Sequence, residues 1–182
     1  FIKVITGLRR SGKSTVMKLL QAELLERGIA TEQIIYINLE SFVFSDLKDA
    51  KSLYEFVQGK MVAGQKHYVL LDEIQDVQDW EKAVNAFLVD LDVDIYVTGS
   101  NSRLLSSEFS TYLAGRYVAF HIMTLSFREY LLFHDLPLTI SVSDRKTEFL
   151  KYLRMGGFPA IHTANYDYNA IYKIVYDIYS SV

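Results

Sequence analysis

The sequence predicts an α/β fold: three layers, α/β/α, around a parallel five-stranded sheet, with a helical C-terminal portion. Three observations point there. Short apolar runs of strand type alternate with amphipathic helical stretches over the first 125 residues. A glycine-rich loop joins the first such run to the first helical stretch. The third run, Tyr68-Val69-Leu70-Leu71, is unbroken, as in a strand buried on both faces, and then ends abruptly in two acids, Asp72-Glu73.

The elements follow in order. The first strand is Ile2–Thr6, and the helix after the loop carries Val16, Leu19, Leu20, Ala22, Glu23, Leu24 and Leu25 before stopping at Gly28. Ile34–Leu39 is the second strand. Ser45-Asp46 is expected to cap a helix bearing Leu47, Leu53, Phe56, Val57 and Met61. His67–Asp72 is the third strand. Asp79 is expected to cap a helix over Trp80–Val89, with Trp80, Val84, Phe87 and Leu88 inward. Val93–Thr98 and Tyr117–Ile122 are the fourth and fifth strands, separated by a helical or irregular segment from Ser102 to Arg116.

Beyond Leu125 the pattern turns helical, with Phe127–Phe133, Arg145–Met155 and Asn169–Ser181 broken by Gly156-Gly157-Phe158-Pro159. The expected division is therefore 1–125 as a sheet-centred core and 126–182 as a helical portion. The last helix carries Ile171, Ile174, Val175, Ile178 and Val182 at helical spacing, with Tyr172, Tyr176 and Tyr179 around them. That stripe either closes the domain's own core or meets a further domain. The start at Phe1, inside a strand, is read together with it as the mark of a piece of a longer protein.

The loop itself reads Gly7-Leu8-Arg9-Arg10-Ser11-Gly12-Lys13-Ser14-Thr15, the pattern Gly-x-x-x-x-Gly-Lys-Ser that cradles nucleotide phosphates. Its two glycines permit backbone conformations that a Cβ forbids, so that N–H groups form an anion nest. The following helix adds its positive N-terminal end. Lys13 offers a compact cation to the β- and γ-phosphates, and Ser14 a hydroxyl to Mg²⁺.

Asp72 is expected to emerge at the C-terminal end of its strand, where ligands sit in open α/β sheets, and there to hold Mg²⁺ with Ser14. Glu73 is placed to orient or deprotonate an attacking water. The extra strand Val93–Thr98 then ends in Thr98-Gly99-Ser100-Asn101-Ser102. In the class with a catalytic Glu beside the magnesium Asp, this strand lies between the loop strand and the magnesium strand. The expected sheet order is 5-1-4-3-2, that of a P-loop NTPase. Thr98, Ser100 and Asn101 are candidates to sense the γ-phosphate, with Ser100 first and Asn101 second.

Other residues are weighed against plainer roles. Arg116 either reaches a γ-phosphate, in its own chain or a neighbour's, or pairs with a surface carboxylate. Arg9 and Arg10 touch phosphate or a partner, or are solvated. Gln75 positions water or makes a loop contact, and Glu40 is a solvated strand-end acid. His67, His121, His134 and His162 have no companions at metal-ligand spacing and are read as structural. The 13 tyrosines, with no basic cluster among them, are read as core and rim rather than a stacking surface.

Composition bounds these readings. The 182 residues are 50% hydrophobic and 23% charged, an ordinary globular composition. Cysteine is absent, which excludes disulfides and thiolate metal sites and is compatible with a cytoplasmic setting. The net charge of −3, with scattered basic residues, gives no indication of nucleic-acid binding by this segment, and no apolar run is long enough for a membrane span.

Taken together, the chain resembles the AAA-type ATP-binding proteins of bacteria and archaea, whose ATPase domain precedes a winged-helix segment and a C-terminal domain of unknown function. The resemblance is carried by Gly7–Thr15, Leu71-Asp72-Glu73-Ile74-Gln75 and Thr98-Gly99-Ser100-Asn101-Ser102. Leu113-Ala114-Gly115-Arg116-Tyr117, Leu125-Ser126-Phe127-Arg128-Glu129-Tyr130 and Gly156-Gly157-Phe158-Pro159 extend it over nearly the whole chain. It implies an ATPase that uses ATP and Mg²⁺, with C-terminal domains beyond this segment and a homo-oligomer left open. Three alternatives stay beside it: an ATP-dependent switch with little turnover, a DNA-linked ATPase acting through those further domains, and a small-molecule kinase.

Overall fold

The computed structural model of the chain describes residues 1–99, 113–163 and 167–180. Its contacts divide it into two compact units, Phe1–Gly7 with Lys13–His121, and Leu8–Gly12 with Ile122–Val182.

The first unit is built on strands β1 (Ile2–Gly7), β2 (Ile34–Asn38), β3 (His67–Asp72), β4 (Val93–Thr98) and β5 (Tyr117–Ile122). They form one parallel sheet in the order β2-β3-β4-β1-β5, the order expected from the sequence. Three strands match their expected spans residue for residue. β1 runs one residue further, to Gly7, and β2 stops one short of Leu39.

Alternation along the strands gives the sheet two different faces. Ile2, Val4, Ile35, Ile37, Val69, Leu71, Ile95 and Val97 join Leu53 and Val57 of α2 (Ala50–Gln58) and Val84 and Phe87 of α3 (Trp80–Asp90) in one core. On the other face α1 (Lys13–Glu26) lies along β1 and β3. Its buried stripe is Lys13, Met17 and Leu24. Leu19 and Leu25, expected on the inward face, are 64% and 42% exposed, because that stripe is narrower than the run of leucines suggests.

Two capping expectations need correction. Ser45-Asp46 does not start α2; Asp49 does, its carboxylate accepting from the Ser52 N–H at 2.8 Å while Ser52 Oγ accepts from the Asp49 N–H. Lys48 and Asp49 are held extended by Gln78, whose N–H donates to the Lys48 carbonyl, so the helix cannot begin earlier. Asp79 does precede α3, but in the left-handed conformation (φ 57°), and its side chain pairs with Lys82 instead of capping.

At the N-terminal end of β4, Asp94 takes Lys3 at 2.8 Å and Lys66 at 3.1 Å. Burial pushes its carboxyl up, but the two ammonium groups together outweigh this and hold it below the usual range. The same lysines lie over the rings of Tyr96 and Tyr68, which accounts for two tyrosines without a stacking ligand.

The second unit contains α4 (Phe127–Phe133), α5 (Val142–Met155) and α6 (Tyr168–Ser180). Ser126 and Glu129 form a capping box at the start of α4. α5 begins three residues before the expected Arg145, because Ser141 Oγ accepts from the Asp144 N–H. The stripe on α6 closes this unit's own core: Ile171 and Ile178 are buried with Phe158 and Ile161, and Ile174, Val175, Met155 and Leu8 pack around them.

The Gly156-Gly157 break has a steric cause. Gly156 ends α5 at φ 78°, a conformation that favours glycine. Gly157 presses on the backbone that precedes α4: a Cβ there would lie 2.3 Å from the Leu125 carbonyl oxygen. That oxygen also accepts from Tyr152 Oη at 2.7 Å, and the Leu125 N–H donates to the Gly157 carbonyl. Gly157→Ala is therefore expected to cost about 1–3 kcal/mol, read from denaturant unfolding of the variant.

His134 and His162, 28 residues apart, meet ring to ring, with Nε2 of the first 3.2 Å from Nδ1 of the second. His162 Nε2 donates to the Gly156 carbonyl at 2.9 Å, so its Nδ1 is the acceptor in the neutral pair. Burial first, and then the neighbouring His134, hold His162 below the usual histidine value. The unfolded chain takes up this proton more readily, so the stability is present above the ordinary histidine range and is lost as pH falls through it. Melting temperature should fall between about pH 7.5 and pH 5 in the wild type, and less steeply in His162→Gln.

Candidate functional site

The site begins with a buried charge. The apolar run of β3 carries Asp72 to the C-terminal edge of the sheet, where it is fully buried. A carboxylate so placed must be hydrogen-bonded or it is strongly destabilising. Three hydroxyls from three elements meet that need. Ser14 Oγ, in the first turn of α1, donates to Oδ1 at 3.1 Å. Thr98 Oγ1, the last residue of β4, also donates to Oδ1. Tyr36 Oη, from β2, donates to Oδ2 at 3.0 Å. Burial and the Asp72 charge push the Tyr36 phenol well up, so it stays protonated and remains a donor.

Glu73 follows in the left-handed conformation (φ 56°, ψ 52°), which costs a non-glycine residue of order 1 kcal/mol or more and is sustained only by its surroundings. Thr98 supplies part of that support: its hydroxyl oxygen accepts the Glu73 N–H at 3.0 Å while its proton goes to Asp72. The Glu73 side chain is held at its other end, where Gln75 Nε2 donates to Oε2 at 2.8 Å. Oε1 lies 3.7 Å from Lys13 Nζ. Lys13 is itself buried, with Nζ 3.4 Å from the Gly7 carbonyl oxygen.

Of the glycine-rich loop, Gly7 ends β1 in the first unit and Leu8–Gly12 belong to the second. Gly7 (φ 153°), Arg10 (φ 64°) and Gly12 (φ 106°) all have positive φ, a feature of the backbone of anion-binding loops. A Cβ on Gly12 would meet nothing within 4 Å, so it is backbone conformation rather than crowding that demands glycine there. Ser11 N donates to the Leu8 carbonyl at 3.1 Å, and Ser11 Oγ is buried with no hydrogen-bond partner among the described residues. A buried hydroxyl without a described partner suits an anionic oxygen, so the residues present fit a phosphate. The Ser14–Asp72 pair likewise has the all-oxygen chemistry that Mg²⁺ takes.

The remaining candidates are placed as follows. Ser100 and Asn101 lie outside the described residues. Thr98, the third residue of that group, bonds both members of the acidic pair. Gln75 contacts Glu73 directly. Arg9 and Arg10 are exposed, as is Glu40. Arg116 precedes β5, where its carbonyl accepts the Ile2 N–H at the start of β1, and its guanidinium donates to Asn85 of α3. In a parallel sheet this is the edge opposite Asp72, about 20 Å away over a six-residue strand, so Arg116 does not join the site of its own chain.

Tyr36 was not singled out by sequence reasoning. A signal existed: it is the half-buried polar member between Ile35 and Ile37, both buried, on the strand next to the one that carries Asp72.

Comparison with known proteins agrees with this architecture. Residues 1–131 match the AAA domain family. An uncharacterized protein of Haemophilus influenzae is 44% identical over 166 residues, covering 91% of this chain and 41% of that protein. An uncharacterized protein of Methanocaldococcus jannaschii is 34% identical over 165 residues, covering 88% of this chain and 36% of its own length. Among solved structures, C. elegans PCH-2 matches with a TM-score of 0.48 at 16% identity, over 85% of this chain and 40% of that one. The chain belongs to the AAA domain family, and so is a nucleotide-binding domain of the ATPase type. It spans about two fifths of the length of the relatives it matches, 41% and 36%. Among the described residues, no helix is long and apolar enough to cross a membrane.

Thr98 joins Asp72 to Glu73, and its removal is measurable. Thr98→Val keeps the volume but leaves the Glu73 N–H without its acceptor and Asp72 short of a donor. The expected loss is about 1–3 kcal/mol in denaturant unfolding, with Thr98→Ser largely retaining stability.

Proposed function

We propose that the domain binds ATP with Mg²⁺ and hydrolyses it. The observation that carries this reading is the convergence, at one end of the sheet, of Lys13, Ser14, Asp72 and Glu73, with Glu73 Oε1 3.7 Å from Lys13 Nζ. Each brings a group that phosphoryl transfer to water needs: a cation, an oxygen pair for a divalent ion, and a base.

In this reading the loop of Gly7, Leu8, Arg9, Arg10, Ser11, Gly12, Lys13, Ser14 and Thr15 cradles the phosphates, Ser11 through its hydroxyl because its amide is bonded to the Leu8 carbonyl. Lys13 exchanges its contact with Glu73 for the β- and γ-phosphate oxygens. Ser14 and Asp72 hold Mg²⁺, which when bound neutralises charge on those oxygens. Glu73, relieved of Lys13, orients a water for in-line attack and accepts its proton. Ser100 or Asn101 would sense the γ-phosphate, and Gln75 sets the angle of the Glu73 carboxylate. Catalysis is then positioning and electrostatics, with no covalent intermediate on the protein. Arg116, exposed at the far edge of its own sheet, would act only across a contact with a second copy.

A switch with little turnover is the second reading, favoured by one observation. Glu73 is engaged at both carboxylate oxygens, by Gln75 and by Lys13, so a resting site withholds its base until nucleotide displaces Lys13.

The test is steady-state phosphate release by the full-length protein. Glu73→Gln should lower the rate by about 10²-fold or more while ATP binding survives, and Lys13→Ala should lose both. A wild type that binds ATP but releases no phosphate, with or without DNA, would move the conclusion to the switch.

A further inference from the structure

The two oxygens of Asp72 are not equivalent. Oδ1 accepts from Ser14 and Thr98, whereas Oδ2 accepts from Tyr36. We infer that Tyr36 is a positioning residue for the divalent cation. Its hydroxyl occupies Oδ2 and thereby locks the Asp72 carboxylate with Oδ1 turned to Ser14, the hydroxyl with which Asp72 would share the ion. This rests on the Mg²⁺-dependent reading above and names a residue that reading does not contain.

The register of the sheet explains why a tyrosine stands there. β2 and β3 run parallel with Asn38 opposite Asp72 and Tyr36 opposite Leu70. Tyr36 therefore shares the Asp72 face of the sheet but starts two residues back, about 6.6 Å along the strand. A phenol spans that distance and ends in a single hydroxyl; serine or threonine at this position would fall short. Asn38, directly opposite, accepts the Glu40 N–H through Oδ1 at 3.0 Å, and its side chain has no described bond to Asp72. The rest of β2 serves the core, with Ile35 and Ile37 buried on the other face.

The arrangement also sorts the hydroxyls by task. Ser14 must be able to leave Asp72 when an ion arrives, because its lone pairs are what the ion takes. Thr98 is tied to the Glu73 N–H as well as to Asp72. Tyr36 bonds through its hydroxyl to Asp72 and, unlike Ser14, has no ion to take up. Partners that orient a metal's ligands in this way commonly account for 10–100-fold of metal affinity.

Tyr36→Phe removes the hydroxyl and keeps the ring. In the full-length protein, binding of a fluorescent ATP analogue would be titrated against Mg²⁺, with binding in excess EDTA as reference. The Mg²⁺ concentration for half-maximal binding should rise about 10-fold while metal-free affinity stays within about twofold. Tyr54→Phe is the matched control: Tyr54 Oη donates to Asp90 Oδ2 at 3.0 Å, the same phenol–carboxylate bond at an exposed place on the first unit. It should leave the Mg²⁺ dependence unchanged. If Tyr36→Phe lowers the melting temperature but leaves the Mg²⁺ half-saturation at the wild-type value, the positioning role is overturned and the bond serves stability alone. If wild-type binding of the analogue does not respond to Mg²⁺, the inference falls together with the reading on which it rests.

Discussion

One buried carboxylate organises this domain. Asp72 is carried into the interior by an apolar strand that has no alternative place to go, and a charge there must be met by donors on every side. The three that meet it come from α1, β2 and β4. Ser14 ties it to the end of the phosphate loop, Tyr36 to the neighbouring strand, and Thr98 to the strand that separates β3 from β1. The order β2-β3-β4-β1 is thus expressed chemically at a single residue. Thr98 passes the constraint one step further, to the left-handed Glu73.

The loop and the acidic pair are coupled through Lys13. Its ammonium group is buried beside the Gly7 carbonyl and near Glu73, so the cation that would meet phosphate and the base that would activate water hold each other. Both contacts are of a kind that an incoming polyanion competes with. The strain at Glu73 lies at the C-terminal end of β3, which is where local rules of folding are expected to yield to function. Elsewhere in the first unit the rules hold: alternation, parallel register and a continuous core.

The second unit is organised by packing. The family motifs that named no activity in the sequence have steric tasks here. Ser126 and Glu129 cap α4, Tyr130 reaches Glu148 of α5, and Gly157 lets the chain pass flat against Leu125. Leu8, a variable position of the phosphate loop, packs among Phe158, Ile161, Ile171 and Ile178. The identity of that loop residue is therefore a matter of hydrophobic packing as well as of phosphate chemistry.

Much of this was legible in the residues themselves. Strand periods and the loop motif follow from local pattern, because alternation, apolar runs and a Gly-x-x-x-x-Gly-Lys-Ser spacing are properties of contiguous sequence, and the strand order is expected from the class those motifs point to. The pairing of Asp72 with Glu73 is local as well. What the sequence left open depended on distance in three dimensions. That α2 starts at Asp49 and not at the expected Ser45-Asp46 was decided by Gln78, 29 residues beyond Asp49. That the α6 stripe closes its own core was decided by Phe158 and Ile161. His134 meets His162, and Tyr36 meets Asp72, only because chain segments remote in sequence were brought together. The sequence by itself determined the class of fold and the kinds of group that could handle a phosphate. The tertiary structure alone decided which hydroxyls satisfy the buried Asp72, because hydrogen bonding across strands depends on register and reach, and neither is written in neighbouring residues.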